Sequence, residues 1–344
     1  MHLPESESIN TGKLKAVFNN TSASYKFYWF LSILDCIEQQ KTTISKHELF
    51  ARMIANSYYT VNYFKISFGI QDKLHDTICF LNKHENIGLN ETKERIVERL
   101  IKANSIQTKK ALFHFDANVP HKFLSPWLGN ASKKNMYQLS LLKDDLAPYA
   151  LYKNEIILNE QWFDYLTKNI GLIKDFCFWN LTLFLQSRNP SLPDIPNKLN
   201  RPETRGSLKK HKTKFWDIVI STSDTPQKCI YTDNIIHKGD YAIEHFIPFN
   251  FLAHDLMWNL IPADQSFNSS KGAKLPPLDI YFDKFYALQK QAVETVKQKQ
   301  PKNKFLQDYL SLFPELTFNK ERYRDHLEPL ITIAHNNGFE KMIT

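Results

Sequence analysis

The chain has 344 residues, with 44 Lys and Arg against 36 Asp and Glu and a formal net charge of +8. Its 42% hydrophobic and 13% aromatic content, with 25 phenylalanines to nine glycines, excludes a disordered or fibrous chain and supplies a real core. No apolar run reaches the roughly 18 residues of a membrane span. The four cysteines (Cys36, Cys79, Cys177, Cys229) form no CxxC pair, and MHLPESESINTGK lacks an apolar signal core, so the expected compartment is the cytoplasm.

A basic balance favours a polyanionic partner, nucleic acid first. Along the chain, YKFYWFLSILDCIEQQ (25–40) is apolar nearly all round and reads as a buried helix. Ser45 followed by Glu48 reads as a capping box opening a helix over 45–59. Helical spacing continues over 71–85 and 91–104. Residues 113–130 read as an ordered, turn-rich segment. Its His114, Asp116 and His121 suggest a metal site, but polar contacts within the segment account for them more simply. A hairpin is expected over 148–159 around Lys153-Asn154. Asn159 then caps a long helix over 160–188, in which Gly171 costs about 1 kcal/mol of propensity.

The prolines of 189–196 end that helix and place the main boundary near 195. A helical region, 1–195, for recognition or partner binding is thus expected before a second domain, 196–344. The densest basic stretch follows, with Lys198, Arg201, Arg205, Lys209, Lys210, Lys212 and Lys214, helical from Ser207 onward. After Pro276-Pro277, helical patterns cover 281–299, 304–313 and 320–336, with Gly338 as a stop. The fold class expected is α+β, predominantly helical.

The chemistry lies in 228–276. KCIYT (228–232) and DYAIEHFIPF (240–249) read as two strands around an HKGD turn, with His245 near the end of the second. Asp264 caps a short helix, 265–271, that Gly272 stops, and on it Asn268 and Lys271 share a face. His245, Asn259 and Asn268 are spaced 14 and then 9 residues apart, with Glu244 just before the histidine. Glu244 and Asn268 supply hard oxygens suited to Mg²⁺, and His245 suits general-base work at neutral pH. Neighbours on a regular strand point to opposite faces, so Glu244 and His245 converge only if the strand ends or bends there.

This stretch resembles the HNH, or ββα-metal, endonucleases of the His-Asn-Asn subtype. It is similar to the HNH domain of CRISPR effector nucleases and to stand-alone bacterial restriction and defence proteins. The resemblance rests on Glu244-His245, Pro248, Phe251, Trp258-Asn259-Leu260, Asn268, Lys271 and Leu275-Pro276. It implies that Glu244 and Asn268 hold one metal ion, that His245 activates water, that Asn259 fixes the loop, and that Lys271 meets phosphate. The acid is Glu where close relatives have Asp. CIYT carries one cysteine where zinc-bearing members have CxxC, so no structural zinc is expected.

A lone histidine in IEHFIPF is ordinarily a core residue; Glu244, Asn259, Asn268 and Lys271 at the family spacing move it to catalysis. His254-Asp255 is read as a local turn cap and Cys229 as a small buried residue. The expected activity is Mg²⁺-dependent hydrolysis of DNA, with Mn²⁺ as the alternative ion, leaving 5′-phosphate and 3′-hydroxyl ends, in restriction or antiviral defence. Lys209, Lys210, Lys212, Lys214 and Lys274 are the expected phosphate contacts. The alternatives are an RNA-cleaving effector with the same site and a degenerate nucleic-acid-binding or assembly subunit. A protein partner would dock on the N-terminal region, and no membrane is involved.

Overall fold

The computed structural model describes residues 3–142, 147–200, 206–223 and 225–343. Arg201 and Arg205 of the basic stretch lie outside the described residues. The fold is α+β and predominantly helical. It divides into two units, one of Met1–Pro190 with Ile195–Arg201 and one of Ser191–Asp194 with Pro202–Thr344. Among the described residues no helix is long and apolar enough to cross a membrane.

The first unit is built around the helix Tyr25–Glu38, in which every residue from Phe27 to Ile37 is buried. The helices Lys46–Asn62, Glu160–Lys168 and Ile170–Arg188 and the short helix Val119–Phe123 pack around it. Trp29 Nε1 donates to the Tyr149 hydroxyl at 2.9 Å, which donates to the Pro120 carbonyl at 2.7 Å, so these two ring donors of the aromatic core are paired. Asp35 is the one buried acid on this helix. Burial alone would raise its pKa, but Lys93, Asn56 and Lys174 outweigh that and hold it below the usual range.

Two expectations are corrected in this unit. Ser45 stands at the N-cap position of the helix Lys46–Asn62, but its side chain makes no capping hydrogen bond; it also ends strand β1 (Thr43–Ser45), and Lys46 N donates to the Asn154 carbonyl at 2.9 Å. Strands β2 (Tyr149–Leu151) and β3 (Glu155–Leu158) form the expected hairpin, and β1 adds antiparallel to β3, giving the order β1-β3-β2. The long helix over 160–188 is two helices. The break falls at Asn169 (φ −113°, ψ 19°), whose side chain donates to the Tyr165 carbonyl at 2.9 Å; Gly171 lies just inside the second helix.

In the second unit the expected pairing of 228–232 with 240–249 does not form. Cys229 N donates to the Asn234 carbonyl at 2.9 Å, and Asp233 N donates to the Cys229 carbonyl at 3.0 Å, so 228–235 folds back on itself. Asp233 sits at φ +60°, the left-handed conformation that Asp tolerates in turns. The ladder instead joins β4 (Ala242–His245) to β5 (Leu260–Ala263), antiparallel, with His245 opposite Leu260. A two-stranded ladder leaves room for Pro262, which has no N–H to give.

The helix Gln265–Lys271 follows β5 and packs on β4. Asp264 caps it by accepting from the N–H groups of Ser266 and Phe267, and Gly272 at φ +53° stops it. The helices Leu278–Lys299 and Lys320–Asn336 follow. The expected helix over 304–313 is shorter and tighter, a 3₁₀ segment Lys304–Tyr309.

Candidate active site

Strand β4 ends on His245, and this lets adjacent residues serve one site. The Glu244 carboxylate reaches the short helix, where its Oε1 accepts from Lys271 Nζ at 2.5 Å. The same ammonium donates to the His245 carbonyl at 2.9 Å. Lys271 thus joins the side chain of one residue to the backbone of the next, while the two side chains themselves have different partners, Lys271 for Glu244 and Asp255 for His245. Glu244, His245 and Lys271 are all buried. Burial pulls the Lys271 pKa down and the Glu244 charge opposes it.

The imidazole has partners of its own. His245 Nε2 lies 2.8 Å from Asp255 Oδ1, and the ring meets Phe249 edge-on at 5.6 Å. Asp255 is therefore more than a local turn cap. A carboxylate on one ring nitrogen fixes the tautomer and orientation of the other, as in hydrolytic triads. His254 and His211 lie nearby. Burial lowers the His254 pKa to about 4, against the pull of Asp194, and lowers that of His211 against Asp255 and Asp308.

Asn259 is fully buried and clamps a single residue. Its Nδ2 donates to the Ile247 carbonyl and its Oδ1 accepts from the Ile247 N–H, both at 2.8 Å. Phe246 N donates to the Asn259 carbonyl at 2.8 Å, so the two residues after His245 are both held. The turn carrying Asn259 is itself gripped from the C-terminal helices. Gln289 Nε2 donates to the carbonyls of Leu260 (2.9 Å) and Met257 (3.2 Å), its Oε1 accepts from Tyr309 Oη at 2.5 Å, and Tyr323 Oη donates to the Trp258 carbonyl. Gln289, Tyr309 and Tyr323 carry no local sequence signal for this role.

Asn268 stands one turn before Lys271 on the same helix, half-buried, and its side-chain amide makes no hydrogen bond among the described residues. With Glu244 it presents two hard oxygens from packed elements, and a hard divalent cation that keeps several waters fits that donor set. Among the described residues no three His, Cys, Asp or Glu side chains are grouped to hold a metal ion, and a cation bound largely through water needs no such group. Tyr231 adds a buried hydroxyl without a partner; burial first, then the Glu244 charge, raises its pKa. Its ring stacks on Phe267 at 4.4 Å.

The lysines separate. Lys209, Lys210, Lys214 and Lys274 are exposed. Lys212 turns inward, donating to the carbonyls of Tyr241 (2.5 Å) and Gly239 (3.0 Å) over the Tyr241 ring. Lys198 is fully buried, within the first unit. The stretch Lys212–Trp216 is a single π-helical turn, a form that recurs at functional sites.

A family model described as HNH endonuclease matches residues 228–277, which span β4, β5 and the short helix. No curated protein and no solved structure matches the chain. The matched segment is thus similar to an HNH domain, a module of nucleases, which typically use a divalent metal.

Proposed function

We propose that the protein is an HNH endonuclease of the His-Asn-Asn subtype that hydrolyses DNA phosphodiester bonds with Mg²⁺ and serves in bacterial restriction or phage defence. The observation that carries the reading is the convergence of Glu244, His245 and Lys271 at the end of β4, with Asp255 on the imidazole and Asn268 one helical turn away. His245 is the general base. With its Nε2–H given to Asp255, Nδ1 is the basic nitrogen of the neutral ring and takes the proton of the attacking water. Asn259 holds the loop after His245 by both hydrogen bonds of Ile247 and so sets the direction of the ring.

Mg²⁺, held by the Glu244 carboxylate and the Asn268 amide oxygen, would neutralise the phosphate and the leaving oxygen. Lys271 keeps the Glu244 charge in place and turns positive charge towards the phosphate. Lys209, Lys210, Lys214 and Lys274 track the backbone, which positions DNA without reading its sequence. One site cuts one strand, and the resulting ends carry 5′-phosphate and 3′-hydroxyl.

The test is incubation of the purified protein with supercoiled plasmid and with a matched RNA, in Mg²⁺, Mn²⁺ or EDTA. Nicked or linear plasmid in the metal arms, intact plasmid in EDTA and intact RNA are the expected results. Cleavage of RNA alone moves the substrate to RNA, and equal cleavage in EDTA overturns the metal role.

A further inference from the structure

One cleft in the N-terminal unit is walled by cations. It measures 660 Å³, within the range of about 300–1,000 Å³ typical of small-molecule sites. Lys26, Lys73, Lys122, His114 and His121 line it, and no Asp or Glu is among its described lining residues. Of the nearby acids, Asp116 is held by Lys46 (2.9 Å) and Lys133 (2.8 Å), Asp72 accepts from the N–H groups of Ser24 (2.6 Å) and Leu74 (2.9 Å), and Asp76 pairs with Lys73 of the cleft itself (3.2 Å).

Among the described residues Lys26 and Lys122 have no acidic partner. Lys26 Nζ donates to two neutral carbonyls, Val17 at 3.0 Å and Asn20 at 3.4 Å. Burial lowers its pKa, and the charge of Lys122 lowers it further. His121 is 6% exposed, and its buried Nδ1 has no hydrogen-bond partner. Native proteins pair nearly all such atoms, so an orphan on a cleft wall points to a missing partner. Burial, then Lys133 and Lys122, push the His121 pKa down, and a bound anion would reverse that. The half-buried Tyr25 ring supplies an aromatic wall, fixed edge-on to Phe115 at 5.3 Å and by accepting from Lys73 N at 2.7 Å.

We propose that this cleft binds a nucleoside phosphate, the phosphate between Lys26, Lys122 and His121 and the base against Tyr25. The shared chemistry is a terminal phosphomonoester on a nucleoside. Its source is either a free mononucleotide or the 5′-phosphate end of a nucleic acid. The inference does not depend on the nuclease reading.

The experiment is calorimetric titration of the full chain carrying His245→Ala, in EDTA, so that no probe is cut. The probes are AMP, CMP, GMP and UMP, the matching nucleosides, and a DNA tetranucleotide with and without a 5′-phosphate. At least one phosphorylated probe should bind about tenfold or more tightly than its unphosphorylated form. Binding of the mononucleotide alone assigns the free ligand, and binding of the tetranucleotide alone assigns the strand end. Lys122→Glu, on an exposed residue, should weaken that binding about tenfold or more with an unchanged unfolding midpoint, and His121→Gln should weaken it too. Equal affinity for phosphorylated and unphosphorylated probes, no binding of any probe at millimolar concentration, or an unchanged affinity in Lys122→Glu overturns the proposal.

Discussion

Lys46 and Lys271, one from each unit, are both buried lysines with a carboxylate partner, and the two are buried differently. Lys46, in the helical unit, spends its three N–H donors on three acceptors: Asp116 (2.9 Å), the Tyr137 hydroxyl (2.5 Å) and the Lys153 carbonyl (3.1 Å). Lys133 gives Asp116 a second cation, so the network closes on itself. Lys271, in the nuclease unit, has two acceptors, Glu244 and the His245 carbonyl. Burial lowers the pKa of both, and a carboxylate opposes it in both. A saturated ammonium can only hold the fold together. One with a donor to spare keeps a hydrogen bond for a further acceptor, the phosphate of the proposed reaction.

The sharpest way to test that contrast is to remove the base and keep the network. His245→Ala should lower the cleavage rate by about 10²-fold or more while DNA affinity, measured by fluorescence anisotropy, stays nearly constant, because base catalysis acts in the transition state. Retention of more than about a tenth of the rate would remove His245 from that role.

Next, the two lysines should part company. Lys271→Met should cost about 10²-fold in rate at saturating DNA, on the scale of losing one donor to a developing charge. Lys46→Met should leave the rate per folded molecule unchanged and cost about 3 kcal/mol in urea unfolding, since it breaks a buried pair. Should Lys271→Met cleave normally, the contrast between closed and open networks fails.

A weaker effect is set by pH. The folded His254 pKa, at about 4, lies below its ordinary 6.5. The neutral ring is the favoured form in the fold, so its contribution is fully present above pH 6.5 and is lost as pH falls towards 4. His211 and His326, also lowered by burial, add to the same slope. Unfolding midpoints measured from pH 7 to pH 4 should fall less steeply in His254→Leu than in the wild type; parallel curves would show that His254 titrates normally.

The smallest effect belongs to the basic stretch. Replacing Lys209, Lys210 or Lys214 with Ala should each lower the salt slope of DNA binding by about 0.9. Lys212→Ala should leave the slope alone and instead lower stability, because its ammonium is already given to Gly239 and Tyr241. Affinity measured against salt for the four single variants distinguishes these outcomes.

What could be read in advance followed from local rules. The spacing from Glu244 to Lys271 marks residues that the fold places on adjoining elements, and Asp264 and Gly272 bracket the short helix as cap and stop chemistry requires. The buried helix of the first unit was legible because it is apolar all round. Strand β5 was not, because four residues containing a proline carry no periodic signal and its pairing with β4 is a tertiary choice. Strand β1 was hidden for a related reason: Ser45 and Glu48 satisfy a capping pattern, but sheet pairing to β3 takes Ser45 first. Asp255 looked like turn chemistry because its partner, His245, is brought to it by the loop fold. Gln289, Tyr309 and Tyr323 reach the Asn259 turn from far along the chain, where no spacing rule applies.

The grip of those three residues has a consequence for the order of events at the ribosome. A nascent chain that has exposed His245, Asn259 and Lys271 but not yet Tyr323 lacks the last support of the turn carrying Asn259. Domains fold as they emerge, at roughly 5–20 residues per second. The helical unit can therefore form while the histidine is still unaimed. The candidate centre therefore gains its last support only once Tyr323 has been made.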